Sequence, residues 1–283
     1  MATGGAIDLH THSTASDGTD TPAGLVRAAA RAGLDVVALT DHDTTAGWEP
    51  AAQAAREVGI RLVRGAELSV SHHGYSVHLL AYLFDPDAAE LREHRRAVRS
   101  ARLDRARRMV GLLAHDFPIT WEDVVAQTSE GASVGRPHIA DALVAAGVVG
   151  HRDDAFASML AGSSPYYVPH YAMPAADAVR LVREAGGVPV IAHPGAALRG
   201  RVLPDAAIAE LVPLGLAGLE VDHRDHDAAA RRRVRALADR LGILGTGSSD
   251  YHGTGKRNLL GENTTDPAVY GELVAQASGV PVV

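Results

Sequence analysis

Apolar, often β-branched runs alternate along this chain with helix-prone stretches, and almost every run is followed by His, Asp or Glu. Ala6–Leu9, Val36–Leu39, Arg61–Arg64, Ser76–Tyr82, Val188–Ala192, Gly218–Val221 and Ile243–Gly245 read as strands. Between them, Pro22–Ala32, Gly47–Val58, Ala175–Ala185, Ala206–Leu214 and Ala228–Leu241 carry apolar residues at helical spacing. Gly33, Gly59, Gly186 and Gly242 stand where helix C-terminal glycines belong. Repetition of βα units predicts parallel strands in a barrel-like α/β fold, with chemistry at the C-terminal strand ends.

The interval from about Pro86 to Pro165 breaks this rhythm with Arg-rich, helix-prone sequence and no convincing strand. It reads as a helical cap (86–165) inserted over the mouth of a barrel made from 1–85 and 166–283. With 46% of its 283 residues apolar and 22% charged, the chain can bury a sizeable core. A net charge of -7 argues against stable nucleic-acid binding. The N-terminal residues lack a basic region followed by an apolar stretch, and no apolar run is long enough to span a membrane. A cytoplasmic protein is the expectation.

The absence of cysteine excludes thiolate nucleophiles, disulfides and sulfur-ligated zinc, so any metal must sit on nitrogen and oxygen. Fifteen histidines stand against three Phe and two Trp, and imidazole is the commonest transition-metal ligand. The first strand leads to His10, His12 and Asp17, the second to Asp41 and His42, and the third ends at Glu67. The fourth strand carries His78, the fifth ends in His193, the sixth in Glu220, and the seventh leads to Asp250 and His252. One His-x-His pair is weak evidence, but metal-capable groups after nearly every strand predict a multinuclear centre on one rim.

The segments Asp8-Leu9-His10-Thr11-His12-Ser13, Ser16-Asp17-Gly18, Leu39-Thr40-Asp41-His42-Asp43, Gly65-Ala66-Glu67, Ala192-His193-Pro194-Gly195 and Ser249-Asp250-Tyr251-His252-Gly253 resemble the PHP (polymerase and histidinol phosphatase) phosphoesterases. The resemblance implies a distorted (β/α)7 barrel with two or three divalent transition-metal ions, manganese first and iron or zinc as alternatives. It implies that His10, His12 and Asp250 hold one ion, with Glu67 bridging to a second also held by His78 and His193. Asp17, His42 and His252 would hold a third. Asp17, His42, His193 and His252 are the candidates for catalytic roles, by way of a metal-generated hydroxide that attacks phosphorus.

Gly135-Arg136-Pro137-His138 resembles the cap segment through which nucleotide-hydrolysing relatives reach substrate oxygens, making Arg136 and His138 candidate substrate contacts. Arg199 and His223 are further candidates. The subgroup resembled contains 3',5'-nucleoside bisphosphate phosphatases and 5'-3' exoribonucleases, so the expected partner is a small nucleotide or a short oligonucleotide. A phosphatase for a non-nucleotide metabolite such as histidinol phosphate remains open, as does a non-catalytic metal-binding module. The arginines from Arg92 to Arg108 read as a solvated helix face rather than an RNA track. His72, His73, His94, His115, His151 and His170 fall outside the matched motifs and read as surface or packing residues.

Overall fold

The computed structural model describes residues 5–169 and 171–283, leaving His170 and the Arg199 side chain outside the described residues. The strands are β1 (Ala6–Asp8), β2 (Leu34–Leu39), β3 (Arg61–His72), β4 (Tyr75–Tyr82), β5 (Met173–Pro174), β6 (Val188–Ile191), β7 (Gly218–Asp222) and β8 (Leu244–Gly247). They form one mixed sheet in the order β1-β2-β3-β4-β6-β7-β8, with β5 beside β3. Its two ends meet at the mouth, where Thr11 bridges Tyr251 and the His12 N–H donates to the Tyr251 carbonyl at 2.8 Å. Among the described residues no β1–β8 ladder closes the sheet, so it is a barrel-like α/β sheet rather than a fully hydrogen-bonded ring.

Helices α1 (Pro22–Arg31), α2 (Trp48–Val58), α7 (Ala175–Glu184), α8 (Asp205–Ala209) and α9 (Ala228–Leu241) surround the sheet. Side-chain alternation supplies two apolar layers: Val37 and Leu39 pack outward against helices, while Val36 and Ala38 join Ile7, Leu80 and Val190 inside. Tyr270 and Leu273 of α10 (Pro267–Ala275) belong to that inner cluster. The sequence reading contained no helix there.

Three strand and helix expectations change. β3 continues past Arg64 to His72 and pairs antiparallel with β4 around His73-Gly74, and β4 pairs antiparallel with β6. Both turn residues have positive φ, as a two-residue hairpin requires, so the ladder outruns the βα rhythm. Glu67 therefore lies within β3 rather than at its end. The helix expected over 206–214 stops at Ala209 and resumes as a 3-10 turn at Val212–Leu214, because Pro213 lacks the N–H that a continuous helix needs.

Between β4 and β5 stand α3 (Ala89–Leu113), α4 (Trp121–Val125), α5 (Arg136–Ala145) and α6 (Arg152–Ala157). Met109, Leu113, Ile139 and Leu143 form a core separate from both barrel layers. The arginines of α3 divide between two faces: Arg96, Arg107 and Arg108 are exposed, but Arg95 and Arg102 are buried, and Arg99 donates to the Gly131 carbonyl. Arg95 reaches Thr45 and the Pro86 carbonyl, while Arg102 pairs with Asp43 at 3.0 Å. Their spacing of about two helical turns places both guanidiniums on the side that faces the barrel.

Candidate metal centre

Strand parity decides which side chains enter the barrel. Leu68 and Val70 of β3, Leu79 and Ala81 of β4, and Leu219 and Val221 of β7 all pack outward. The intervening Glu67, His78 and Glu220 therefore point inward. His10, His12 and Asp17 follow β1, His42 follows β2, His193 follows β6, and Asp250 and His252 follow β8.

Glu67 is the middle of the assembly. Its Oε2 lies 3.3 Å from His10 Nε2, 3.1 Å from His12 Nε2 and 3.2 Å from His42 Nδ1, while its Oε1 lies 2.7 Å from His78 Nδ1 and 3.2 Å from His193 Nε2. Asp250 Oδ1 is 3.4 Å from the Nε2 atoms of both His10 and His12. Asp17 lies 3.4 Å from His252 Nε2 and 3.7 Å from His42 Nε2. All nine residues expected as ligands thus stand in one nest. His42 faces both Asp17 and the Glu67–His78 pair, and the ligand-spaced groups overlap accordingly: His12, Asp17, His42 and His252; His10, His12 and Glu67; His42, Glu67 and His78.

The donor set suits divalent ions. Among the described residues, His42 Nδ1 and His252 Nε2 are buried without a hydrogen-bond partner, a costly state that an ion between imidazole and carboxylate would relieve. Outer contacts also prepare the rings. His10 Nδ1 lies 3.0 Å from Glu220 Oε1 and His252 Nδ1 lies 2.8 Å from the Asp250 carbonyl, so each Nδ1–H has an acceptor and Nε2 is left for an ion.

The remaining rim histidines are wired differently. His223 Nδ1 accepts the Asp225 N–H at 3.0 Å, which puts the neutral ring's proton on Nε2, 3.5 Å from Asp250 Oδ2. In that form Nε2 carries a proton with no hydrogen-bond acceptor among the described residues of the ion-free nest, and it presents a donor rather than a ligand. His226 uses both nitrogens internally, accepting from the Gly195 N–H and donating to the Val221 carbonyl.

Groups outside the nine expected ligands support the nest: Glu220 in β7 and Asp41 just after β2 are among the metal-capable groups that the sequence places at strand ends, whereas Asp8, Asp43 and Lys256 were not among the expected site residues. Glu220 also accepts from the Ser248 hydroxyl at 2.7 Å and from the His193 N–H at 2.7 Å. That second bond anchors a residue held at φ 32°, a strained backbone region beside a functional site. Asp8 holds the Ser249 and Gly261 amides, Asp41 the amide and hydroxyl of Ser13, and Asp43 those of Ser69. Asp41 and Asp43 flank His42, so alternation around that histidine was their sequence signal. Lys256, the chain's single lysine, approaches Asp250 Oδ2 at 2.8 Å. Gly18 has a steric role, since a Cβ there would lie 2.2 Å from the His12 carbonyl oxygen.

Burial would raise the Glu67 carboxyl, yet His78, His42 and His10 hold it well below the usual range. Asp17 behaves likewise under His252 and His42. Burial would lower His12, but hydrogen bonds to Asp250 and Glu67 push it up to about 9. Burial, Lys256 and His12 together lower His252 to about 4. The ion-free nest therefore combines ionised carboxylates with imidazoles of widely divided proton affinity.

The helical segment hooks onto the loop bearing Asp17. Ser133 donates its N–H to the Ala15 carbonyl at 3.0 Å, and Arg152, paired with Asp141, reaches the carbonyls of Asp17 and Gly255. His138 accepts the Gly135 N–H at Nδ1 and contacts the Ser16 carbonyl through Nε2 at 2.9 Å, so both of its nitrogens are engaged. Arg136 donates to the Leu160 carbonyl and stacks over Phe156 and Tyr167.

The fold and this nest define a protein with His, Asp and Glu clusters able to hold metal ions at a barrel mouth. A family model described as PHP domain matches residues 8–166, and the chain belongs to that family. It is 36% identical over 252 residues to a 3',5'-nucleoside bisphosphate phosphatase of Chromobacterium violaceum, covering 88% of each chain. It is 34% identical to a phosphoribosyl 1,2-cyclic phosphate 1,2-diphosphodiesterase of Eggerthella lenta (87% of this chain, 94% of that one). A 5'-3' exoribonuclease of Haemophilus influenzae is 32% identical, with 87% and 89% covered. Among solved structures, a Bifidobacterium adolescentis protein described, by inference, as a metal-dependent phosphoesterase superposes with a TM-score of 0.94 at 45% identity over 96% of each chain.

Proposed function

We propose that this chain is a metal-dependent phosphoesterase that hydrolyses phosphate esters of small nucleotides, with 3',5'-nucleoside bisphosphates first and 5' ends of short RNA second. The observation that carries the reading is Glu67, whose single carboxylate has five imidazoles, of His10, His12, His42, His78 and His193, within 3.3 Å. The names of the relatives support phosphoester hydrolysis, and they differ in what the phosphate is attached to.

The nine residues would hold two or three ions, with manganese our first assignment and iron or zinc the alternatives. Bound divalent ions supply water activation and neutralise charge on phosphate oxygens. His42, His78 and His193 have the more exposed side chains of the nest, at 9%, 30% and 11%, and mark its open side. Asp17, His42, His193 and His252 are the residues proposed to act around the reacting phosphate.

Lys256 has three N–H donors, and Asp250 takes one of them. The others are suited to a phosphate oxygen. His223 would offer its Nε2 proton to an oxygen on the same side. Arg136 has guanidinium nitrogens beyond the one on Leu160, and a planar fork fits a second phosphate. Arg199 remains proposed on its position after His193-Pro194-Gly195. We assign His138 to holding the Asp17 loop through Ser16 rather than to substrate. The cysteine-free composition favours a cytoplasmic setting, and among the described residues no helix is long and apolar enough to cross a membrane.

The test is a product-resolved assay of the manganese-loaded protein with adenosine 3',5'-bisphosphate and a short 5'-phosphorylated RNA, with Asp17→Ala and Arg136→Ala as controls. Phosphate and AMP from the bisphosphate support the small-nucleotide reading. Stepwise 5' mononucleotides select the exonuclease. Neither product from metal-loaded protein would refute the nucleotide assignment and favour another phosphorylated metabolite.

A further inference from the structure

A second group of metal-capable side chains lies outside the barrel nest, at the tip of the β3–β4 hairpin. His72 ends β3, His73 is the first turn residue, and Glu210 caps the C-terminus of α8. His73 Nε2 lies 2.7 Å from Glu210 Oε2, His72 Nε2 lies 3.4 Å from the same oxygen, and the two rings are 4.3 Å apart. One ligand atom from each of the three falls within 4.8 Å of the others.

Consecutive residues of an extended strand point to opposite faces, so neighbouring histidines would normally diverge. They converge here because His73 adopts φ 48°, a left-handed conformation that L-residues with a Cβ adopt at a cost. Asn-Gly or Gly-Gly is the usual occupant of such a two-residue turn. The turn thus carries, at its strained position, the one side chain type that completes a pair of imidazoles.

We propose that His72, His73 and Glu210 form a separate surface site for one divalent transition-metal ion of the zinc or nickel kind. Two imidazoles and a carboxylate are a common ligand set for such ions, leaving remaining positions to water. Tetrahedral ligands at about 2.0–2.1 Å stand roughly 3.4 Å from one another, close to the spacing already present. His72 Nε2 also lies 3.1 Å from the Ala207 carbonyl, which in the ion-free chain takes the proton an ion would displace. An ion here would pin the hairpin to α8. Arg201 stacked 4.2 Å over the Tyr75 ring already joins that hairpin to the loop following His193. The site would brace the strands that carry Glu67 and His78 without touching substrate, and it does not depend on the proposed activity.

The experiment compares full-length wild type with His73→Gly and Glu210→Gln after equilibrium dialysis against buffered micromolar zinc, counting bound ions by elemental analysis. His73→Gly removes a ligand while relieving the strained φ, so its fold in chelator should be at least as heat-stable as wild type. Each variant is expected to bind one ion fewer than wild type, and the double variant to lose no more than either single one. Phosphoesterase activity under manganese should be unchanged. Equal ion counts in wild type and both variants would overturn the proposal, as would ion loss in the double variant equal to the sum of two independent losses.

Discussion

The barrel mouth and the helical segment from Ala89 to Ala157 handle ionisable groups in opposite ways. At the mouth, carboxylates and imidazoles are buried and each is held from several strands, with Glu220 alone fastening the His10 ring, the Ser248 hydroxyl and the His193 backbone. The helical segment has an apolar core of its own, and its inward arginines reach across to the barrel as guests. Strands fix side chains against both neighbours, whereas a cap joined by a few hydrogen bonds can change without rebuilding what lies beneath. We assign the chemistry to the first region and choice of substrate to the second.

The sharpest way to break that division is Glu67→Gln. An amide keeps the shape but removes the charge shared by five imidazoles, so ion content and activity should fall by more than the about 10–100-fold typical of outer partners. Retention of full ion content would show that the nest does not depend on a central carboxylate. Next comes Glu220→Gln, which leaves every expected ligand in place and should cost about 10–100-fold in ion affinity or turnover. A change confined to KM would instead put Glu220 among substrate contacts.

Leu143→Ala tests the other region. Leu143 is fully buried in the helical core, and its truncation should cost about 2–5 kcal/mol of local stability. Hydrogen exchange should rise across α3–α6 while the barrel's ion content, measured in the same sample, stays constant. Ion loss in parallel would mean that the two regions fold as one unit. Arg152→Ala is milder: loss of its contacts to Asp17 and Gly255 should raise KM a few-fold with kcat nearly unchanged.

The last test is a pH slope in the ion-free chain. In the ion-free chain His12 is raised from 6.5 to about 9, because its hydrogen bonds to Asp250 and Glu67 outweigh the burial that opposes its charge. Its contribution to stability is fully present below pH 6.5 and is lost as pH rises through about 9. Chelator-treated protein should therefore melt at lower temperature across that window. Ion uptake should tighten over the same interval as the His12 proton is released. Thermal melts and calorimetry in buffers of different ionisation enthalpy measure both, and a flat ion-free profile from pH 6.5 to about 9 would mean that folding does not raise the proton affinity of His12.

Residue order alone determined that the chain would be an α/β protein and that metal-capable groups would gather after its strands, because periods of two and 3.6 and the His, Asp and Glu positions are local facts. Glu67 and His78 were legible for the same reason, although the strands carrying them proved longer and antiparallel. The helices between β4 and β5 were also legible, but not which way Arg95 and Arg102 would face, since a charged stripe looks the same to solvent or to a buried Asp43. Tertiary structure alone decided that His138 spends both nitrogens on Gly135 and Ser16, and that His223 keeps its proton on Nε2. It also brought Glu220 to residues 210 and 27 positions away in the chain. Whether a histidine ligates, donates or braces depends on what its second nitrogen meets, and that partner is supplied by the fold.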